Sequence, residues 1–230
     1  MVVGNGMIAR RFMAFAEQSD VVIFASGVSN SKETRPEPFA REWQLVEKTL
    51  RETTGSLFVY FSTASVDDPT EKGSPYVMHK LALEQLITNQ ATKHLLVRAS
   101  NVVGGPGNPH TILNFFVDRV LRDEPFTIWQ HASRNLIDLD DVYRVVTDYI
   151  AEPAGWNQTI LVANPYSISP LALVQAIETH TGKQAKYELI DKGVPFAVSA
   201  HGLSDQLKAT TSSYWQPEQY VAHLLKKYYP

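Results

Sequence analysis

The first hundred residues alternate short apolar runs with longer amphipathic stretches. The runs lie at 1–3, 21–25, 57–61 and 95–98. Between them, apolar residues recur at the spacing of a helix face. This alternation is typical of parallel strands joined by crossover helices. The sequence therefore predicts an α/β fold in which helices cover a parallel sheet.

Helical spacing continues beyond these runs, although the later segments are longer and less regular. Helices are predicted at 7–18, 39–51, 75–89, 111–121, 140–150, 169–181 and 217–228. Further strands are predicted at 159–162 and near Tyr187. We expect two interleaved parts, 1–104 and 105–230, in which the strand at 159–162 joins the core of the first part.

Composition excludes several classes of function. The 230 residues carry a net charge of -3, which gives no electrostatic reason to bind nucleic acid or an anionic membrane. No apolar run approaches the ~18 residues of a membrane span. The absence of cysteine excludes disulfides, thiolate metal sites and a cysteine nucleophile. Because the histidines lack ligand spacing, we expect no metal site, and we expect a cytoplasmic protein.

A glycine-rich segment, Gly4-Asn5-Gly6-Met7-Ile8-Ala9, follows the first apolar run and opens a predicted helix. Glycines here let the backbone approach a pyrophosphate, which a helix N-terminus attracts. The alternative is a plain glycine turn between strand and helix. Arg10 and Arg11 follow, either as solvated helix charges or as a contact for the 2′-phosphate of NADP. The candidate cofactor-binding residues are Gly4, Asn5, Gly6, Met7 and Ile8.

Tyr76 and Lys80 form the only Tyr-x-x-x-Lys pattern in the chain. Four residues apart on a predicted helix, the phenol and the ammonium share one face. We expect the charge of Lys80 to favour the phenolate and so to lower the pKa of Tyr76 from its ordinary value. Such a phenol can exchange a proton with an oxygen on carbon while a nicotinamide exchanges hydride. The alternative is that Tyr76 is an exposed helix aromatic.

Further segments follow in a fixed order. They are DVVIFASG at 20–27, FSTASV at 61–66, RASNVVG at 98–104 and RNLIDLDDV at 134–142. Together with the glycine segment and the Tyr76–Lys80 pair, they resemble the extended short-chain dehydrogenase/reductase family of nucleotide-sugar epimerases, dehydratases and ketoreductases. The resemblance covers residues 1 to about 182. It implies a Rossmann-type doubly wound sheet with a small C-terminal α/β substrate-binding part, and NAD or NADP as cofactor.

The same resemblance implies roles for single residues. Thr63 would hydrogen-bond the substrate oxygen, Tyr76 would exchange the proton, and Lys80 would hold the cofactor ribose. Further cofactor contacts would come from Ala25, Ser26 and Ser62. Substrate contacts would come from Asn101 and Arg134, since a planar guanidinium suits a diphosphate.

Simpler interpretations exist for most of these residues. Thr63 is otherwise a strand-end hydroxyl, Asn101 a turn residue and Arg134 a surface charge. Asp140 and Asp141 are interpreted as a helix cap and a structural carboxylate rather than as catalysts.

The chain departs from the family pattern in its first third. Two strands and two helices that normally precede the segment at 20–27 are missing, so we expect residues 1–3 to form a sheet edge. The residue that reads the adenosine ribose ends one of those strands, which leaves the choice between NAD and NADP open. A family Asn corresponds to Glu42 or Trp43, and no role is carried over there. Ala64 and Ser65 replace an Asp-Glu pair of the 4,6-dehydratases, which argues against dehydration.

The function that the resemblance implies is an NAD(P)-dependent oxidoreductase, foremost a ketoreductase acting on a nucleoside-diphosphate sugar, with polysaccharide biosynthesis as the expected setting. An epimerase of the same family is the first alternative, because Tyr76 and Lys80 serve both reactions. A non-catalytic NAD(P)-binding sensor is the second, because the cofactor-binding half is shortened. The sequence leaves open whether the protein forms a homodimer.

Overall fold

The structure is a computed structural model and describes residues 1–198 and 214–230. Its strands are β1 (Val2–Val3), β2 (Val21–Phe24), β3 (Leu57–Thr63), β4 (Lys93–Ala99), β5 (Asn101–Val103), β6 (Phe126–Trp129), β7 (Leu136–Asp138), β8 (Gln158–Val162) and β9 (Tyr187–Ile190). Its helices are α1 (Met7–Arg11), α2 (Pro36–Glu52), α3 (Pro75–Gln90), α4 (Ile112–Leu121), α5 (Leu139–Ala151), α6 (Pro170–Thr181) and α7 (Pro217–Tyr228).

The chain divides into two compact units. The first unit contains Met1–Ala99 and Leu139–Val162, and the second contains Ser100–Asp138 and Ala163–Pro230. The first unit therefore takes in α5 and β8 from the later part of the sequence.

A five-stranded parallel sheet forms the centre of the first unit, in the order β1-β2-β3-β4-β8. Every residue of β3 is buried, as expected for a central strand covered on both faces. The α/β class and the parallel sheet predicted from the sequence are confirmed. The prediction that the first apolar run lies at the sheet edge is also confirmed, since among the described strands β1 pairs with β2 alone.

Helices cover both faces of this sheet. On one face, Val46 of α2 and Leu83 of α3 pack with Tyr60 of β3. The ring of Phe12, which follows α1, packs on the other face against Phe61 and against Tyr143 of α5. The sheet is therefore doubly wound.

The connection from β1 to β2 has an unusual hand. It steps along the sheet in the same direction as the next two connections, yet α1 lies on the opposite face from α2 and α3. The β1–β2 crossover therefore has the opposite handedness to the β2–β3 and β3–β4 crossovers. Crossovers between parallel strands nearly always share one handedness. The missing strands give a direct reason, because they would carry the chain back across the sheet before β2.

The helix predicted at 7–18 is wrong in length. Regular α-helix ends at Arg11, and a 3₁₀ turn follows over Met13–Phe15. Phe12 is fully buried, and its N–H is shared between the carbonyls of Ile8 and Ala9, which tightens the helix end. This turn buries Phe15 as well and leaves only a short link before β2.

Two small parallel sheets, β5–β7 and β6–β9, belong to the second unit. Asp138 at the end of β7 is buried, and its carboxylate accepts hydrogen bonds from Lys227 and Tyr228 of α7. The Tyr220 hydroxyl accepts the N–H of Asp138. These bonds attach the C-terminal helix to the strand.

No helix within residues 1–198 and 214–230 is both long and apolar enough to cross a membrane. The same described residues contain no group of three or more His, Asp or Glu arranged to hold a metal ion.

Candidate functional site

The predicted cofactor-binding residues gather at the carboxyl edge of the five-stranded sheet. Because β1, β2 and β3 are adjacent and parallel, the segments that follow them lie side by side. These segments contain the turn at 4–6, then Ala25 and Ser26, then Ser62 and Thr63. Ligands of open α/β sheets bind at this edge.

Gly4 and Gly6 differ in backbone conformation and in the space around them. Gly4 has a φ of +124°, and a Cβ there would lie 2.4 Å from the carbonyl oxygen of Ala25. Gly6 has an ordinary φ of -74°, and a Cβ there would meet nothing within 4 Å. Gly4 is therefore required by the close packing of β1 against β2, whereas Gly6 faces open space at the start of α1.

We expect Gly4→Ala to lower the free energy of unfolding by about 1–3 kcal/mol, because the left-handed backbone and the Ala25 carbonyl both oppose a Cβ. Gly6→Ala should change it by no more than about 1 kcal/mol. Chemical denaturation of both variants measures the difference. Equal destabilisation would contradict the assignment of Gly4 to packing.

Two guanidiniums near the glycine turn have local partners. Arg10 Nε donates to the Asn5 carbonyl oxygen at 2.9 Å. Arg11 Nε donates to Asp140 Oδ1 at 2.6 Å, and its guanidinium lies 3.6 Å from the centre of the Tyr143 ring. Arg11 thus joins α1 to α5 and is not a freely solvated helix charge.

Tyr76 and Lys80 lie on one face of α3, as their spacing predicts. The helix begins after Ser74, whose Oγ accepts the N–H of Val77, and Pro75 occupies its first turn. Lys80 Nζ lies 5.8 Å from the centre of the Tyr76 ring. Tyr76 is buried and packs with Val28, so it is not the exposed helix aromatic of the alternative interpretation.

The ammonium of Lys80 is held inside the protein. Lys80 Nζ donates to Glu42 Oε1 at 2.8 Å and to the Tyr60 hydroxyl at 3.0 Å, with the Phe61 carbonyl oxygen at 3.5 Å. These three acceptors match its three N–H groups. A Cβ at Gly27 would lie 2.6 Å from the same nitrogen, so the backbone also closes over it.

Glu42 is the site residue to which sequence reasoning gave no role. Its side chain is fully buried and lies in line with Val46 and Thr49 on the inner face of α2. This spacing of four and three residues is the signal that could have placed Glu42 toward the sheet. A buried carboxylate requires an ionic or hydrogen-bond partner, and Lys80 was already a predicted site residue.

Four donors surround the Glu42 carboxylate. Oε1 accepts from Lys80 and from the Tyr60 hydroxyl, and Oε2 accepts from the Val28 N–H at 2.7 Å and contacts His79 Nε2 at 3.1 Å. Burial raises the pKa of Glu42, but the charge of Lys80 and the hydrogen bonds outweigh it and hold the pKa at about 2. The carboxylate is therefore ionised at neutral pH and compensates the ammonium.

Tyr60 completes this cluster from the sheet. Burial raises the pKa of Tyr60 well above its ordinary value, and the charge of Glu42 adds to the effect. The hydroxyl therefore keeps its proton, which it donates to Glu42 at 2.8 Å.

Thr63 and Ser62 differ in what their hydroxyls do. Thr63 Oγ1 accepts the N–H of Ser65 at 3.1 Å, which uses a lone pair and leaves the hydroxyl hydrogen for another acceptor. Ser62 Oγ donates to Glu84 Oε1 at 2.5 Å, and Glu84 also binds Arg98 at 2.7 Å. Of the two, Thr63 is therefore better placed to donate to a ligand.

The predicted substrate residues lie in the second unit. Asn101 Nδ2 donates to the Asn135 carbonyl oxygen at 2.7 Å, next to Arg134 in the sequence. The Arg134 backbone pairs with Ile168, and its Nη1 donates to the Ser133 carbonyl oxygen at 2.7 Å. Asn101, at the start of β5, thus lies beside the segment that contains Arg134 and leads into β7. Both side chains have contacts within their own unit.

The sequence profile described as "NAD dependent epimerase/dehydratase family" matches residues 7–163, which is more than half of the chain. The chain belongs to this family. No functionally curated protein matches it at a significant level.

Solved structures of two sugar-nucleotide epimerases and of a third, NADPH-bound protein share the fold. The UDP-glucose 4-epimerase of Thermotoga maritima with UDP-glucose is 19% identical, with a TM-score of 0.68, over 96% of this chain and 82% of its own. The UDP-glucuronic acid 4-epimerase of Bacillus cereus with UDP-glucuronic acid and NAD is 20% identical, with a TM-score of 0.69, over 95% and 77%. RMD from Pseudomonas aeruginosa with NADPH is 16% identical, with a TM-score of 0.65, over 90% and 79%.

At these identities the similarity establishes the fold. The predicted family and its Rossmann-type architecture are confirmed. This chain connects α1 to β2 by a short route and contains a buried Glu42–Lys80 pair.

Proposed function

We propose that this member of the epimerase/dehydratase family is an NAD(P)-dependent oxidoreductase that reduces a keto group on a nucleoside-diphosphate sugar. One observation carries the proposal. Tyr76 and Lys80 share a face of α3, and the Tyr-bearing N-terminus of that helix follows the carboxyl end of β3, where Thr63 offers a hydroxyl hydrogen. A proton donor and a second hydrogen-bond donor are what a reacting carbonyl oxygen requires.

The residues at the sheet edge fit a dinucleotide. The turn at 4–6 is exposed, and the open space in front of Gly6 would admit a pyrophosphate close to the backbone. Asn5, Met7 and Ile8 would add backbone contacts at the start of α1. Ala25, Ser26 and Ser62 would line the same edge from β2 and β3, and the Arg41 guanidinium, which donates to the Ser26 carbonyl at 3.0 Å, adds positive charge there.

Three side chains would carry the chemistry. When bound, the reduced nicotinamide supplies the hydride for the carbonyl carbon. Thr63 would donate a hydrogen bond to the carbonyl oxygen and fix its direction, and Tyr76 would give that oxygen its proton. Lys80 would contribute positive charge one helical turn from Tyr76, and would reach the ribose only by giving up one of its present acceptors.

Arg134 and Asn101 are proposed to hold the diphosphate of the substrate. We expect Arg134→Ala to raise the Michaelis constant for the sugar nucleotide more than it lowers kcat, by removing a charge-assisted contact of roughly 1.5–3 kcal/mol. Calorimetric titration with nucleoside diphosphates measures this contact directly. If none of them binds the wild type, the sugar-nucleotide substrate is wrong, although the redox chemistry would stand.

The missing strands would also affect cofactor choice. They would have supplied one wall of the adenine pocket and the residue that reads the adenosine ribose. We therefore expect similar dissociation constants for NAD and NADP, measured side by side. A preference beyond ~100-fold, or about 2.7 kcal/mol, would mean that another segment or a partner subunit rebuilds that wall.

An epimerase is the first alternative, since Tyr76 and Lys80 would serve both half-reactions. Incubation of the protein with a keto sugar nucleotide and reduced cofactor distinguishes the reductase from the epimerase. Net consumption of the cofactor supports a reductase, whereas interconversion of two sugar epimers without net consumption supports an epimerase.

A non-catalytic NAD(P)-binding sensor is the second alternative, and one observation favours it. Glu42, Tyr60 and the Phe61 carbonyl together engage the Lys80 ammonium, which leaves no donor for a ribose. Cofactor binding without turnover of any keto sugar nucleotide would support the sensor.

A further inference from the structure

We propose that Arg10 and Arg41 together hold the pyrophosphate of a dinucleotide cofactor at the turn formed by residues 4–6. The inference rests on the proposed function, because that function requires NAD or NADP at the carboxyl edge of the sheet. It gives a ligand to two arginines that lie on different helices, α1 and α2, and it names the class of anion that they bind.

The first argument is where the two guanidiniums lie. Arg10 Nε donates to the Asn5 carbonyl oxygen, within the turn, at 2.9 Å. Arg41 Nη2 donates to the Ser26 carbonyl oxygen, in the segment after β2, at 3.0 Å. The turn packs closely on that segment, since a Cβ at Gly4 would lie 3.2 Å from the Ser26 nitrogen. The two arginines thus approach one place at the carboxyl edge of the sheet from two helices.

The second argument is that both charges lack a counter-ion. Within residues 1–198 and 214–230, neither Arg10 nor Arg41 forms an ion pair with a carboxylate. Six other arginines do, namely Arg11, Arg35, Arg98, Arg119, Arg122 and Arg144. Arg10 and Arg41 are exposed, and their bonds use one N–H of Arg10 and two of Arg41. Most of the five N–H groups of each guanidinium therefore remain for a ligand.

The third argument concerns the kind of anion. The exposed turn at 4–6 offers backbone N–H groups, but α1 contains only five residues, so its short dipole adds little attraction. Side-chain charge therefore supplies the attraction that the helix does not. The pyrophosphate of a dinucleotide carries one negative charge on each phosphate, and each planar guanidinium can bind two phosphate oxygens. Two guanidiniums match this ligand, and they match it equally in NAD and NADP, which share the pyrophosphate.

The test compares Arg10→Gln and Arg41→Gln with Arg51→Gln. Arg51 is the matched control, because it is another exposed arginine of α2 and lies about 15 Å from Arg41 along the helix axis. Titration with NADH and with NADPH gives the dissociation constants. We expect the constants of both cofactors to rise about tenfold or more in Arg10→Gln and in Arg41→Gln, and to stay unchanged in Arg51→Gln.

An unchanged dissociation constant in either Arg10→Gln or Arg41→Gln would overturn the proposal. So would a loss of affinity confined to NADPH, since the arginine would then bind the 2′-phosphate and not the pyrophosphate. Added salt should weaken cofactor binding more in the wild type than in either variant, because the variants have lost one of the charges that salt screens.

Further outcomes separate this proposal from the reductase. Cofactor binding with the expected losses, but without reduction of any keto sugar nucleotide, would reject the reductase and retain the pyrophosphate site. If neither cofactor binds the wild type, calorimetry with inorganic pyrophosphate decides. Pyrophosphate that binds the wild type and Arg51→Gln, but neither Arg10→Gln nor Arg41→Gln, would retain the site and reject the nicotinamide cofactor. A wild type that does not bind pyrophosphate either would overturn the proposal.

Discussion

Replacing Tyr76 by Phe should lower kcat by on the order of 10²–10⁴-fold while leaving the dissociation constant of the cofactor nearly unchanged. The substitution removes only the hydroxyl, and the ring that packs with Val28 remains. Steady-state kinetics and cofactor titration measure the two effects separately.

Tyr187→Phe is the matched control, because it removes a hydroxyl from β9 in the other unit and should leave both quantities unchanged. A Tyr76→Phe variant that keeps more than a few per cent of the wild-type rate would show that another group supplies the proton.

Lys80→Ala should lower the free energy of unfolding by about 3–5 kcal/mol, because it leaves the buried Glu42 carboxylate without its counter-ion. It should also reduce both turnover and cofactor affinity. Urea denaturation followed by circular dichroism measures the stability effect.

Lys48→Ala on α2 is the control, since Lys48 pairs with Glu52 at 3.8 Å on an exposed surface and such pairs contribute less than about 1 kcal/mol. The double variant Glu42→Leu, Lys80→Met should recover only part of the lost stability. It removes both buried charges together, but it leaves the Tyr60 hydroxyl and the Val28 N–H without their acceptor. A Lys80→Ala variant as stable as the wild type would mean that Lys80 and Glu42 do not form a buried pair in solution.

The sequence predicted the main sheet well because its strands are continuous apolar runs separated by amphipathic helices. The three- or four-residue strands β5, β6 and β7 were missed. Among the described residues each pairs with a single other strand, and each has too few residues for a periodic signal. The length of α1 was mispredicted because tertiary burial of Phe12 and Phe15 ended a helical pattern that continues in the sequence.

For the candidate site, spacing and resemblance predicted roles for Tyr76, Lys80 and Thr63, whose placement depends on one helix and the strand before it. Glu42 lies thirty-eight residues before Lys80, so no local pattern links the two. The hydrogen bond from Ser62 to Glu84 likewise depends on how α3 packs on β3. Partners that are distant in sequence become visible only when the elements pack.

The missing strands have consequences for both fold and function. β1 becomes an edge of only two residues, which offers few free backbone groups for unwanted pairing. The reversed hand of its connection to β2 follows from the same shortening. Under the proposed function, Gly4 and Gly6 would contribute to the cofactor-binding turn, and Tyr76 and Lys80 would form the acid/base pair.

Transfer of deuterium tests the central claim most directly. A reduced nicotinamide cofactor deuterated at its hydride-donating carbon is mixed with the protein and a panel of nucleoside-diphosphate keto sugars, and the sugars are analysed by mass spectrometry. We predict one deuterium in the product of at least one sugar with the wild type, and incorporation at least about 100-fold slower with Tyr76→Phe. Absence of deuterium from every sugar despite measurable cofactor binding, or equal incorporation by wild type and Tyr76→Phe, would contradict the account.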